Sequence, residues 1–272
     1  MSVAYLYGHP VSHSLSPAMH NAAFAALGLP HRYEAIDVPL DGVAGAVARL
    51  RGNGVLGANV TVPHKLAVMQ HLDQVSPEAR DIGAVNTIVR RDGASPLQLH
   101  GHNTDAHGFD AAWREADVAV TDDLVLLLGA GGAARAVLAA LLARGNRVEI
   151  ASRSVGPAQE LARGRDRVSV VPWPKGAEWR WALVVNATPL GLHGEDPLEG
   201  LVLPASSRLF DLIPTAAQTP LVRRARAAGM LRVVDGLLML LHQAARSFEL
   251  WTGENAPVDA MRAALPRTDL VG

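Results

Sequence analysis

Apolar positions first gather at residues 3–7, a short strand signal. A helical spacing follows, with Ser16 as its N-cap, Pro17 as its first helical residue, apolar positions down to Leu27 and Gly28 as its stop. Residues 32–38 alternate like a strand, and 40–50 read as a helix ended by Gly52. The pattern predicts a strand over 57–62, broken by Pro63, and a helix over 65–72. Strands over 85–89 and 97–100 flank the turn Arg91-Asp92-Gly93, and 104–115 read as a further helix.

From Leu124 the apolar runs lengthen. Leu124-Val125-Leu126-Leu127-Leu128 reads as a buried strand, followed at once by Gly129-Ala130-Gly131-Gly132-Ala133-Ala134 and an Ala/Leu helix to Arg144. Gly145 ends that helix, and 147–151 predict the next strand. Further strands are expected over 168–171, 183–185, 209–213 and 231–234, with helices between some of them, as at 221–228. A strongly apolar helix over 237–251 meets Gly253, and a last helix lies near 258–265. Strands that alternate with helices in this way predict an α/β fold. The chain shows no internal repeat and no low-complexity linker.

Composition narrows the class. The 272 residues suit about two domains, and 49% hydrophobic with 19% charged residues is a globular composition. With 25 Lys and Arg against 26 Asp and Glu, the chain lacks the basic footprint of a nucleic-acid or membrane-surface binder. The absence of cysteine excludes a disulfide scaffold, a thiolate zinc site and a thiol nucleophile. The start Met1-Ser2-Val3-Ala4-Tyr5 lacks a signal-peptide pattern, and no stretch reaches about 18 uninterrupted apolar residues. A cytoplasmic protein is the expectation. All but two of the 25 cations are arginine, so Lys65 and Lys175 stand out as the cations whose protons can leave near neutral pH.

Strand, glycine turn and helix at 124–144 form a dinucleotide-binding fingerprint of the G-x-G-x-x-A kind. Gly129 permits the turn, Gly131 lets a pyrophosphate approach, and Ala133 and Ala134 keep the helix close to the sheet. After the next strand comes Ser152-Arg153-Ser154, where an NAD site would carry Asp or Glu. Arg153 suits a 2′-phosphate, which favours NADP. Whether Arg135 reaches phosphate or faces solvent is open at this level. Polar residues cluster at Ser12–Pro17, Asn59–Lys65, Gly83–Thr87 and Gly101–Asp105. Ser14 and Ser16 precede or open a helix, where a carboxylate finds N–H groups. Period-two alternation puts Asn59 and Thr61 on one strand face. Asp105 reads either as a helix cap or as the partner of Lys65, an acid/base pair of the kind an alcohol dehydrogenase needs. His100, His102 and His107 lack metal-ligand spacing, so no metal is expected, and His13 and His64 read as structural hydrogen-bonders.

These segments together resemble the shikimate dehydrogenase family, in the family's motif order and over nearly the whole chain. The resemblance runs through residues 8–17, 59–65, 83–87, 103–105 and 129–133, then Asn186-Ala187-Thr188 and the stretch 236–253 with Gln243-Ala244-Ala245 and Leu250-Trp251-Thr252-Gly253. It implies reversible reduction of 3-dehydroshikimate to shikimate with NADPH, a step of aromatic amino-acid biosynthesis. It implies a substrate domain over 1–104, a Rossmann-like NADP-binding domain over 105–236, and C-terminal helices over 237–272 that return to the substrate domain. Ser14 and Ser16 would hold the substrate carboxylate, and Thr61, Asn86, Asp105 and Gln243 the ring hydroxyls. Lys65 would be the acid/base group, paired with Asp105. The cofactor would lie on Gly129, Ala130, Gly131, Gly132, Ala133, Ser152, Arg153, Ser154, Thr188, Leu212 and Gly236. The small-molecule substrate would be the partner, in a monomer or homodimer, with no nucleic acid and no membrane.

Two positions depart from the family pattern. The usual Asn-Arg-Thr-x-x-Arg/Lys is here Ser152-Arg153-Ser154-Val155-Gly156-Pro157, without the second cation. The usual Asp-x-x-Tyr is Asp211-Leu212-Ile213-Pro214, without the tyrosine hydroxyl. They motivate a rival, a paralogue acting on quinate or another shikimate-like acid, with NAD as its cofactor in one version. A non-catalytic NADP(H)-binding sensor is the rival from another class.

Overall fold

The computed structural model describes residues 1–91, 93, 97–118 and 120–266; Asp92, in the predicted 91–93 turn, lies outside them. The chain forms two compact units. Among the described residues, one holds 1–108 and 241–266, and the other holds 109–240.

The first unit is built on strands β1 (Ser2–Gly8), β2 (His31–Asp37), β3 (Val55–Val60), β4 (Gln74–Val75), β5 (Thr87–Arg91) and β6 (Gln98–His102), in the order β2-β1-β3-β5-β6-β4. β1 runs parallel to β2 and β3, while β5 runs antiparallel to β3 and β6. Val3, Tyr7, Val47, Leu50, Val60, Ile88 and Leu99 are among the buried residues of its core. Helices α1 (Ser16–Ala26), α2 (Val43–Arg49) and α3 (Pro77–Ile82) belong to this unit.

Several boundaries differ from the pattern, each for a local reason. Leu15, not Ser16, caps α1; Ser16 is already helical, and its N–H goes to Ser14 Oγ at 3.3 Å. β3 stops at Val60, because His64 N–H turns back onto Thr61 O at 2.9 Å. The expected helix over 65–72 is a short 3-10 turn, Ala67–His71, which leaves Lys65 in the turn before it. Lys65 O takes the Val85 N–H at 2.8 Å, and β5 accordingly starts at Thr87 rather than at 85. The predicted 40–50 helix divides into a 3-10 turn, Leu40–Gly42, and α2. α3 has too few apolar positions for periodicity to reveal it. Its ends are nonetheless written out, with Ser76 Oγ accepting from Ala79 N–H and Gly83 left-handed at φ 74°.

The second unit is a parallel sheet of β7 (Leu124–Leu128), β8 (Arg147–Ala151), β9 (Val168–Val170), β10 (Leu183–Asn186), β11 (Arg208–Asp211) and β12 (Arg232–Val234). The order β12-β11-β10-β7-β8-β9 reverses between β7 and β10, as in the Rossmann fold. Every strand pair in it is parallel, and β7 is buried at four of its five positions, as such a sheet requires. Helices α5 (Gly132–Ala143), α6 (Val155–Ala162) and α7 (Pro220–Ala227) alternate with the strands. The division between the units falls within α4 (Asp105–Glu115) and within α8 (Gly236–Thr252), and α9 (Val258–Ala263) lies beyond. Among the described residues no helix is long and apolar enough to cross a membrane. No three His, Asp or Glu side chains among them gather as a metal ion requires.

Candidate active site

In the first unit Lys65 Nζ donates to Asp105 Oδ2 at 2.5 Å, with side chains only 12% and 6% exposed. Asp105 is the first residue of α4 and not its cap. Asn103 Oδ1 takes that role by accepting the N–H groups of Asp105 (3.0 Å) and Ala106 (3.3 Å), which frees the Asp105 carboxylate. Asn86 Nδ2 donates to the other carboxylate oxygen at 2.8 Å. Both oxygens of Asp105 are therefore acceptors. Gln243 Oε1 lies 3.4 Å from Asn86 Nδ2 and 3.5 Å from Thr104 Oγ1, which brings α8 to the same cluster.

Ser14 and Ser16 meet at the start of α1, with Ser16 buried. Thr61 stands just past β3, its N–H on Tyr7 O at 2.8 Å. It sits so close to the end of β1 that a Cβ on Gly8 would fall 2.2 Å from Thr61 Cγ2. His64 is buried with Nε2 on Val38 O at 2.6 Å, the structural role expected of it, whereas His13 is exposed. Sequence reasoning missed Thr87, Thr104 and Ser247 as members of this site. Their hydroxyls lie 2.9–3.3 Å from one another and contact Asn59 and Asn86. Thr87 and Thr104 fall inside the motifs singled out, and Ser247 follows Gln243 by one helical turn.

The second unit supplies the candidate cofactor cradle at the carboxyl ends of its strands. Gly129 leaves β7 at φ 105°, and a Cβ there would come 2.9 Å from Ala187 O and 3.2 Å from Thr188 Cγ2. Gly131 caps α5 with open space where a side chain would be, and no side-chain capping hydrogen bond closes the helix N-terminus. Ala134 is fully buried against the sheet. These features suit a pyrophosphate, which needs bare N–H groups and close backbone approach. Ser152, Arg153 and Ser154 follow β8, the neighbour of β7; Arg153 is exposed and Ser152 Oγ accepts the Ser154 N–H at 3.3 Å. Thr188, Leu212 and Gly236 follow β10, β11 and β12. Thr188 Oγ1 donates to Asn186 Oδ1 at 2.7 Å, and a Cβ on Gly236 would meet Leu212 O at 2.4 Å. Arg135 does not face solvent: its side chain is 13% exposed, with Nη2 3.6 Å from Glu160 Oε2.

Behind these loops Asp211 is fully buried and accepts from Thr219 Oγ1 (2.6 Å), Asn186 Nδ2 (3.0 Å) and Ile213 N–H (3.3 Å). Burial nevertheless pushes its carboxyl up to about 6, against those three donors. Ile213 is buried and Pro214 exposed.

Comparison with known proteins finds relatives over nearly the whole chain. Residues 6–88 match the shikimate dehydrogenase substrate binding domain, and residues 236–265 match the shikimate 5′-dehydrogenase C-terminal domain. A shikimate dehydrogenase (NADP(+)) of Symbiobacterium thermophilum is 46% identical, over 95% of this chain and 92% of its own. The structure of shikimate 5-dehydrogenase from Thermus thermophilus in complex with NADP(H) and shikimate is 40% identical with a TM-score of 0.83, covering 97% of this chain and 98% of that one. Quinate dehydrogenase from Corynebacterium glutamicum, in complex with NAD, is 32% identical with a TM-score of 0.85, covering 97% and 98%. On sequence and fold together, the chain belongs to the shikimate dehydrogenase family.

Proposed function

We propose that this chain is an NADP-linked shikimate dehydrogenase, reversibly reducing 3-dehydroshikimate to shikimate in aromatic amino-acid biosynthesis, in the cytoplasm. The observation that carries the reading is the Lys65–Asp105 pair, buried and braced by Asn86. In this reading the first unit takes the substrate and the second the cofactor. Gly129 to Ala133 would hold the pyrophosphate, Arg153 with Ser152 and Ser154 the 2′-phosphate, and Thr188, Leu212 and Gly236 the remaining cofactor surface. The bound nicotinamide supplies or accepts the hydride.

Ser14 and Ser16 would hold the substrate carboxylate, and Thr61, Asn86 and Gln243 its hydroxyls, orienting the reacting carbon. Reduction leaves negative charge on the former carbonyl oxygen, and the Lys65 ammonium both stabilises that charge and delivers the proton. In oxidation the proton returns the same way. Asp105 holds Lys65 in place, so the two act as a coupled pair. Replacing Lys65 with Ala is expected to lower kcat by ~100-fold or more, the scale for losing a positioned acid/base. The circular dichroism spectrum would be unchanged. Turnover within a few-fold of wild type would remove Lys65 from the mechanism.

A second reading, a quinate dehydrogenase using NAD, is favoured by the missing second cation at Pro157 and by Pro214. Turnover of both acids with both cofactors separates the two readings.

A further inference from the structure

Asn86 supports Asp105 only while its amide keeps one orientation. Turned over, its oxygen would face the carboxylate. Donors set that orientation: Asn86 Oδ1 accepts the Thr104 N–H at 2.7 Å and the Thr87 hydroxyl at 3.0 Å, and lies 3.2 Å from the Thr104 hydroxyl. Thr87 directs its one proton there while its oxygen receives an N–H from Asn59 Nδ2 at 3.0 Å. The two residues are directly opposite in the antiparallel β3–β5 pair, which brings these side chains together. Ser247 Oγ, 2.9 Å from Thr87 Oγ1, does not need the Thr87 proton as its own link. It accepts from Asn59 Nδ2 at 3.0 Å and donates to Gln243 O at 3.0 Å, the back-bond of a serine within a helix.

Asn59 is in turn fixed by Tyr33, whose hydroxyl donates to Asn59 Oδ1 at 2.8 Å. Tyr33 is held from three sides. Asn21 Oδ1 accepts its N–H at 2.8 Å, Asn21 Nδ2 donates to its carbonyl at 3.0 Å, and its ring stacks on His20 with centroids 4.3 Å apart. Tyr33, Asn59, Thr87 and Asn86 are all buried, so bulk water does not stand in for a missing link.

We propose that Tyr33 and Thr87 are positioning residues for the reaction, the two hydroxyls of a one-way hydrogen-bond chain, Tyr33 to Asn59 to Thr87 to Asn86 to Asp105, that holds the Asp105 carboxylate in place for Lys65. The chain rests on the proposed function of the Lys65–Asp105 pair. Along this chain each link donates toward Asp105, while Asn59 and Asn86 also donate to side partners, and the last proton of the series falls on Asp105 Oδ1.

The test is steady-state kinetics of Thr87→Val, Thr87→Ser and Tyr33→Phe with shikimate and NADP+, alongside thermal melts. Thr87→Val keeps the volume and removes the hydroxyl. It is expected to lower kcat by about tenfold, with a smaller rise in KM for shikimate through the Asn86 contact to its hydroxyl, since Asn86 both braces the acid/base pair and binds the substrate. Thr87→Ser restores the hydroxyl and is expected to recover kcat to within about threefold of wild type. Tyr33→Phe should move kcat in the same direction by about threefold, and it carries the test alone if Thr87→Val does not fold. A folded Thr87→Val enzyme with wild-type kcat would overturn the chain, as would a Thr87→Ser enzyme as slow as Thr87→Val, which would make the effect one of packing. A wild-type protein that turns over no substrate would remove the function, and the proposal with it.

Discussion

A carboxylate that is fully buried resists ionisation even among good donors, and Asp211 shows the balance. Its pKa is raised by burial to about 6, so the folded protein binds its proton more tightly than the unfolded chain does. The stability this confers is full below the ordinary Asp pKa of about 4 and is lost as pH rises through about 6. The two values differ by roughly two units, about 3 kcal/mol. The stability of wild type minus that of Asp211→Asn, from urea melts across this range, is expected to fall by that order as pH rises; a flat difference would remove the effect of burial. Arg153 lies at the other extreme, exposed and free to meet an anion. Arg153→Ala should raise KM for NADP+ about tenfold or more, the scale of one charge-assisted contact, with little change for NAD+. Equal effects on both cofactors would mean that it does not read the 2′-phosphate. Lys65, Asp105 and Asn86 stand out in the sequence by residue type within motifs, and Gln243 through the family resemblance. Thr87 and Ser247 do not, because a threonine opening a strand or a serine within a helix reads as neutral. Their meaning comes from partners as far as 188 residues away, as between Asn59 and Ser247.

The βαβ unit at 124–151 is legible at the scale of elements because its signals are local: an unbroken apolar run, a glycine turn and an Ala/Leu helix with Gly145 at its end. The polar segments are harder to delimit. β3 ends early and β5 starts late because backbone bonds among Thr61, His64, Lys65 and Val85 draw the chain out of the ladder, and no periodicity encodes those bonds. Glycine carries the close approaches. A Cβ on Gly236 would lie 2.4 Å from both Leu212 O and Ile213 C, backbone atoms that do not rotate aside. Gly236→Ala is therefore expected to cost about 2 kcal/mol, the range of an overpacked position, and to weaken NADPH binding as the Leu212 loop shifts. Thermal melts and a fluorescence titration would check both. A variant with wild-type melting temperature and affinity would show that the loop yields freely.

At the scale of the whole molecule, the chain pairs a mixed sheet carrying the buried acid/base pair with a parallel sheet whose strand order reverses beside a glycine turn. Fold class was legible from the alternation of strands and helices. The return of the chain from Leu241 to the first unit was not, since an apolar helix carries no mark of its partner; only the family resemblance implied it. At Pro157 and Pro214 this chain departs from the family pattern, which motivates testing its choice among acids and cofactors. The most direct test follows nicotinamide absorbance with the purified protein in four mixtures, shikimate or quinate with NADP+ or NAD+. The account predicts that shikimate with NADP+ gives the highest kcat/KM. A clear preference for quinate or for NAD+, or silence in all four mixtures, would contradict it.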